Sequence, residues 1–131
     1  MLTLPVKRKW LEMIRSGEKK EEYRSISPYY SVRVKNLISP FFWCANPSAW
    51  AEAVVRHEGE KGIPFRGIVL RAGYNPLSPA IMISGRISIG SGLPEWGAVP
   101  GEEYYVLHIE EVEDLITDAR SRSYDSRREE G

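Results

Sequence analysis

Lys19, Glu22 and Arg24 are the residues with the clearest capacity for chemistry. They lie in Gly17-Glu18-Lys19-Lys20-Glu21-Glu22-Tyr23-Arg24, where six of eight positions are charged. A lysine ammonium is a compact point charge and an arginine guanidinium a planar fork of donors; both suit phosphate oxygens or a base edge. A glutamate between them can orient the arginine, accept from a base amino group or act as a general base. A solvated, ion-paired surface segment has the same composition, and so does a structural salt bridge. Two details narrow the reading. Gly17 ends the amphipathic pattern that precedes it. Glu22 and Arg24 are two apart, so an extended chain puts both on one face.

The elements around this segment are legible from local pattern. Leu2, Leu4 and Val6 alternate with Thr3 and Pro5 as a short first strand. Val6, Trp10, Met13 and Ile14 fall on one helical face, with Lys9, Glu12 and Arg15 opposite and Trp10 read as core. Gly17 then stands where a helix needs a residue of positive φ. Ser27-Pro28 and Asn46-Pro47 are helix starts, each a capping side chain followed by proline at the first helical position. The first helix so started has Tyr30, Val34, Leu37 and Ile38 as its apolar face, with Ser31, Arg33, Lys35 and Asn36 turned elsewhere. The second has Trp50, Ala53, Val54 and His57 on one face.

Between those helices, Phe41 to Ala45 reads as a short buried strand with Cys44 an inert thiol inside it. Phe65 to Ala72 reads as a central strand, closed by a turn at Gly73-Tyr74-Asn75-Pro76. Ala80 to Ile89 alternates most cleanly. Ile81, Ile83, Ile87 and Ile89 face one way, Met82, Ser84, Arg86 and Ser88 the other, and Gly85 marks a bend or bulge. Trp96 lies in a Gly- and Pro-rich loop, either as a plug for the end of a barrel or as a stacking platform for a base. Tyr104 to Ile109 is a last strand, after which Val112, Leu115 and Ile116 read as a short docked helix.

Composition bounds the rest. A chain of 131 residues with 42% hydrophobic and 27% charged residues is an ordinary single globular domain. One cysteine excludes an internal disulfide framework, and with two histidines it argues against a zinc site; no metal or other cofactor is called for. Without a transmembrane-length apolar run or a signal-peptide core, the expectation is a soluble, cytoplasmic protein with no membrane association. Net charge is zero but unevenly distributed: positions 1–94 carry +7 and positions 95–131 carry −7. The basic body suits nucleic acid, while the acidic end either balances it or contacts a basic partner protein, for which no candidate is evident.

Gly17-x-Lys19-x-x-Glu22-x-Arg24 resembles the GxKxxExR signature of the ASCH family, whose fold is similar to PUA domains. A Trp-containing helix before the motif, and Trp96-Gly97-Ala98 and Pro100-Gly101 after it, extend the resemblance over most of Met1 to Glu111. It fits least at 43–62, which reads as an insertion in a single domain spanning 1–116. The remainder, 117–131, has no apolar periodicity and is expected to be a disordered tail. The resemblance implies an α+β fold, a small PUA-like mixed β-barrel with flanking helices. It also implies a strand from near Lys19, where propensity alone allows a helix.

For function, the resemblance implies a cleft that binds RNA or a nucleotide-like ligand through Lys19, Glu22 and Arg24, extended by Arg71, Tyr74, Arg86 and Trp96. A second implication is hydrolysis of RNA or of an N-acylated cytidine-type nucleoside, with Lys19 and Glu22 as the catalytic pair. The amide-hydrolysing branch is expected to place a threonine three residues after the signature lysine. Here that position is Glu22, which lacks the hydroxyl nucleophile. The histidine pair of some ribonucleases is not assignable, since neither His57 nor His108 is near the motif in sequence.

Overall fold

The computed structural model describes residues 1–115; Ile116 and the tail at 117–131 lie outside the described residues. The elements run β1 (Thr3–Pro5), α1 (Arg8–Arg15), β2 (Glu21–Ser25), α2 (Pro28–Ile38), α3 (Pro47–Glu58), β3 (Ile63–Arg71), β4 (Ala80–Ser91) and β5 (Glu103–Asp114). Short 3-10 turns follow α3 at Gly59–Lys61 and precede β5 at Pro94–Trp96.

The strands form one mixed sheet in the order β1-β3-β4-β5-β2, with β1 parallel to β3 and the other pairs antiparallel. The sheet curls into a half-barrel, so the fold is α+β with helices flanking a barrel-like sheet. Its two edges are β1 and β2, joined in sequence by α1. The Arg24 guanidinium on β2 donates through Nη2 to the Pro5 carbonyl on β1, tying one edge to the other.

Ile81, Ile83 and Ile87 are fully buried and Ile89 is half-buried at the margin, as their alternation predicts. They pack with Leu4, Ile68, Leu70, Tyr105 and Leu107 from the sheet and with Leu11, Ile14, Val34, Ala51 and Val55 from the three helices. Ile83→Ala is therefore expected to reduce the unfolding free energy by about 2–5 kcal/mol, measured by urea denaturation. A change below ~1 kcal/mol would mean that this position does not carry the core. Gly85 does mark a bulge: the β4–β5 register shifts between Ser84 and Gly85. Both helix starts are capped as expected. Ser27 Oγ accepts from Tyr30 N–H at 3.3 Å, and Asn46 Oδ1 accepts from Ala49 N–H at 3.1 Å.

Other expectations fail for identifiable reasons. Phe41 to Ala45 is not a strand; it is part of the α2–α3 connection, with Phe41 100% exposed, Trp43 exposed and Cys44 half-buried. A continuous apolar run has no periodicity to fix its orientation, and here only Phe42 stacks on Trp50, at 5.2 Å. In α3 the buried residues are Ala51 and Val55, while Ala53 and His57 are exposed. Small apolar residues all round that helix left its phase undetermined.

In α2, Ser31 and Lys35 are buried on the side expected to face elsewhere, and Ser31 shares a 2.6 Å hydrogen bond with the Tyr105 hydroxyl. In α1, Leu11 is fully buried and Val6 precedes the helix. Val112 lies in β5, not in a helix, because β5 continues pairing with β4 as far as Ile81↔Asp114. The stretch 43–62 carries α3 and its following turn, and supplies Ala51 and Val55 to the core.

Candidate functional site

Gly17 turns the chain out of α1 with φ +86°. The Lys19 amide then donates to the Met13 carbonyl at 2.9 Å, which returns the chain across the helix end and into β2. Although lysine and glutamate are poor strand formers, β2 forms because β5 offers it a full ladder, from Glu21↔His108 to Ser25↔Tyr104. The two-residue period puts Glu22 and Arg24 on the core side of the sheet and Glu21 and Tyr23 on the outer side.

Lys19 and Glu22 are not solvated. They are 1% and 4% exposed. Lys19 Nζ donates to Glu22 Oε1 at 3.1 Å and to the Trp96 carbonyl at 2.8 Å. The rings of Trp10 and Tyr23 lie 4.9 Å and 5.1 Å from the same ammonium. Burial pushes the Lys19 pKa below the usual lysine value, against the opposing attraction of Glu22. Glu22 Oε1 also accepts the Tyr23 amide at 3.3 Å, whereas Oε2 is buried without a hydrogen bond, 3.5 Å from Arg24 Nη1. That arginine further donates to the Tyr23 carbonyl at 2.9 Å.

A cleft of about 190 Å³ opens beside this cluster. Its walls come from the end of β1 and the start of α1 (Lys7, Trp10), from β2 (Glu22, Arg24), from the loop before β5 (Trp96) and from Tyr104. Trp96 has two contacts in the structure. It packs on the outer-face cluster of Tyr23, Ala98 and Val106, and it lines the cleft. Gly97 (φ +100°) lets the loop approach: a Cβ there would stand 3.1 Å from the Trp10 ring. Tyr23 O–H donates to Glu21 at 2.7 Å and accepts the Leu93 amide at 2.9 Å, anchoring the other end of the loop. Burial raises the pKa of this phenol well above the usual tyrosine value.

The structure thus brings together Lys19, Glu22, Arg24 and Trp96 and leaves three proposed ligand residues apart. Arg71 is the register partner of Pro5, which lines the cleft, but its guanidinium donates to the Pro76 and Ser78 carbonyls and holds the β3–β4 loop. Tyr74, in that loop, is 96% exposed. Arg86 is on the outer face beside His108, away from Glu22 and Arg24.

Conversely, Trp10 is a cleft wall that periodicity had assigned to the core, and Tyr104 joins it there. Trp10's place in the helix just before the motif was the signal available. Nothing in the sequence pointed to Tyr104. The acidic end is partly balanced within the chain: Arg56 pairs with Glu103 at 3.0 Å and Arg15 with Asp114 at 3.0 Å. Among the described residues, no helix is long and apolar enough to cross a membrane. No family model, curated protein or solved structure matches the chain.

Proposed function

We propose that this is an ASCH-type, PUA-like domain that binds single-stranded RNA by taking one base or nucleotide into the cleft beside Lys19, Glu22 and Arg24. The observation that carries this reading is the lining: Trp10, Trp96 and Tyr104 as apolar walls, with Arg24 and Lys7 as cations at the same opening. Aromatic faces hold any base by stacking, and cations hold the phosphate that comes with it. The cleft, at about 190 Å³, is smaller than a drug-sized pocket, which suits a single ring system with the rest of the strand outside. Glu22 Oε2, buried and lacking a hydrogen bond, is the acceptor that an amino-bearing base would satisfy after a small shift of Arg24.

In this reading Lys19 is a strut. Its ammonium is enclosed by Glu22 and the Trp96 carbonyl, so it sets the loop's position and leaves ligand contact to its neighbours. The test is fluorescence titration with a short single-stranded RNA at several salt concentrations. Two phosphate contacts, through Lys7 and Arg24, give a log–log salt slope of about −1.4. Trp96→Ala keeps the carbonyl that holds Lys19 and removes the ring, and is expected to weaken binding by about 1–3 kcal/mol. Glu22→Gln leaves the buried Lys19 ammonium without its carboxylate, so it is expected to lower the melting temperature as well as change affinity, and its titration is read at a temperature where the variant is folded. Absence of binding at low salt, or affinity indifferent to Trp96→Ala, would refute the proposal. Hydrolysis of RNA or N-acylated cytidine, abolished in Glu22→Gln at unchanged affinity, would replace binding with catalysis.

A further inference from the structure

On the outer face of the sheet, three adjacent strands place a hydroxyl, an imidazole and a carboxylate in line. Ser88 Oγ on β4 is 2.7 Å from His108 Nε2 on β5, and His108 Nδ1 is 3.3 Å from Glu21 Oε2 on β2. The carboxylate is itself oriented: Glu21 Oε1 accepts from the Tyr23 hydroxyl, which accepts from the Leu93 amide. The Glu21 carboxylate, 3.3 Å from Nδ1, favours the ring proton there, which leaves the lone pair on Nε2 to accept from Ser88 O–H. That is the tautomer a general base needs, held by a third group, which is the logic of an activated nucleophile. Arg86 is the register partner of His108. Among the described residues its guanidinium makes long contacts, 3.4 Å to the Lys61 carbonyl and 3.9 Å to Glu110, which leaves donors for a developing oxyanion.

We propose that Ser88, His108 and Glu21 form a second site, an acyl-accepting serine with its base and its orienting carboxylate, acting on small, unhindered carboxylic esters. The size limit follows from Ser88 being only 5% exposed, so that an ester reaching its hydroxyl must be small. Ser88 Oγ attacks the ester carbonyl as its proton passes to His108 Nε2. The carbon–oxygen bond to the leaving alcohol breaks, and the imidazolium returns the proton to that alcohol. Water then attacks the acyl-serine, giving its proton to His108, and Ser88 leaves with it, releasing the carboxylic acid.

The experiment treats the full chain with p-nitrophenyl acetate, and separately with a small alkyl fluorophosphonate, which phosphonylates serine with loss of fluoride. Release of p-nitrophenolate, intact mass and peptide mapping are read. One adduct per chain on Ser88 is expected, absent in Ser88→Ala and formed about 10²-fold more slowly or worse in His108→Gln. Glu21 is a positioning residue. Glu21→Gln is expected to slow labelling and to shift His108 toward the Nε2–H tautomer, read from its imidazole nitrogen chemical shifts; a merely structural carboxylate would leave that tautomer unchanged. Folded wild-type protein that takes no adduct, an adduct elsewhere than Ser88, or Ser88 labelling indifferent to His108→Gln would each overturn the proposal.

Discussion

Lys19→Met is expected to lower the unfolding free energy by about 3–5 kcal/mol, the effect of breaking a buried ion pair from one side. The magnitude follows from what is left behind. Glu22 would keep the Tyr23 amide and the 3.5 Å approach of Arg24, but lose its closest cation while remaining buried. The Trp96 carbonyl would lose its 2.8 Å donor, freeing the loop that forms one wall of the cleft. Stability should recover in large part in Lys19→Met/Glu22→Gln, because a neutral amide tolerates burial far better than an unpaired carboxylate. Urea denaturation of both single variants and the double variant gives the coupling. RNA affinity of the double variant should stay reduced even so, since nothing restores the loop's anchor. A Lys19→Met protein within ~1 kcal/mol of wild type would show that the ammonium is solvated, and the strut reading would fall.

Gly85→Ala is expected to destabilise the fold by at least about 3 kcal/mol, at the severe end for a single added methyl group. A Cβ at Gly85 would stand 1.8 Å from the His108 carbonyl oxygen and 2.9 Å from its carbon, so the obstruction is backbone and not a movable side chain. Relief requires β5 to withdraw from β4 at the bulge, where the register already shifts. The consequence would reach both sites, since β5 carries His108 on one face and holds β2 in place on the other side. Circular dichroism melting and hydrogen exchange along β4 and β5 would detect it. Gly17→Ala makes an informative contrast: a Cβ there meets nothing within 4 Å, and only the positive φ opposes it. Equal effects from the two substitutions would mean that the bulge is more pliable than its packing indicates.

Much of the fold was legible because its determinants are local. A capping side chain and a following proline specify a helix start within four residues, and Ser27 and Asn46 do so with their own hydrogen bonds. The isoleucines of β4 specify a face by alternation, and Gly85 within that alternation specifies the break. The helices were less legible in rotation than in extent. In α3, Ala51, Ala53, Val54 and Val55 allow more than one buried face, and only the surface it packs against chooses Ala51 and Val55. Phe41 and Trp43 show the limit of hydropathy alone, since apolar character states what burial would gain but not whether a partner surface exists.

By itself the sequence determined that Lys19, Glu22 and Arg24 would share a short segment, and, once that segment was extended, that Glu22 and Arg24 would share a face. It did not determine whether they would be solvated. That rests on Trp96, 77 positions beyond Lys19, whose carbonyl captures the ammonium and whose loop closes over it. Nor did it reveal His108, which looked remote from the motif and is the register partner of Glu21. Hydrogen-bond ladders join strands irrespective of their separation along the chain, so pairings of this kind exist only once the sheet order is set. The same order left β1 and β2 as the two edges. That is why Arg24, which the sequence marked as a ligand contact, also became the side chain that ties them together at the mouth of the cleft.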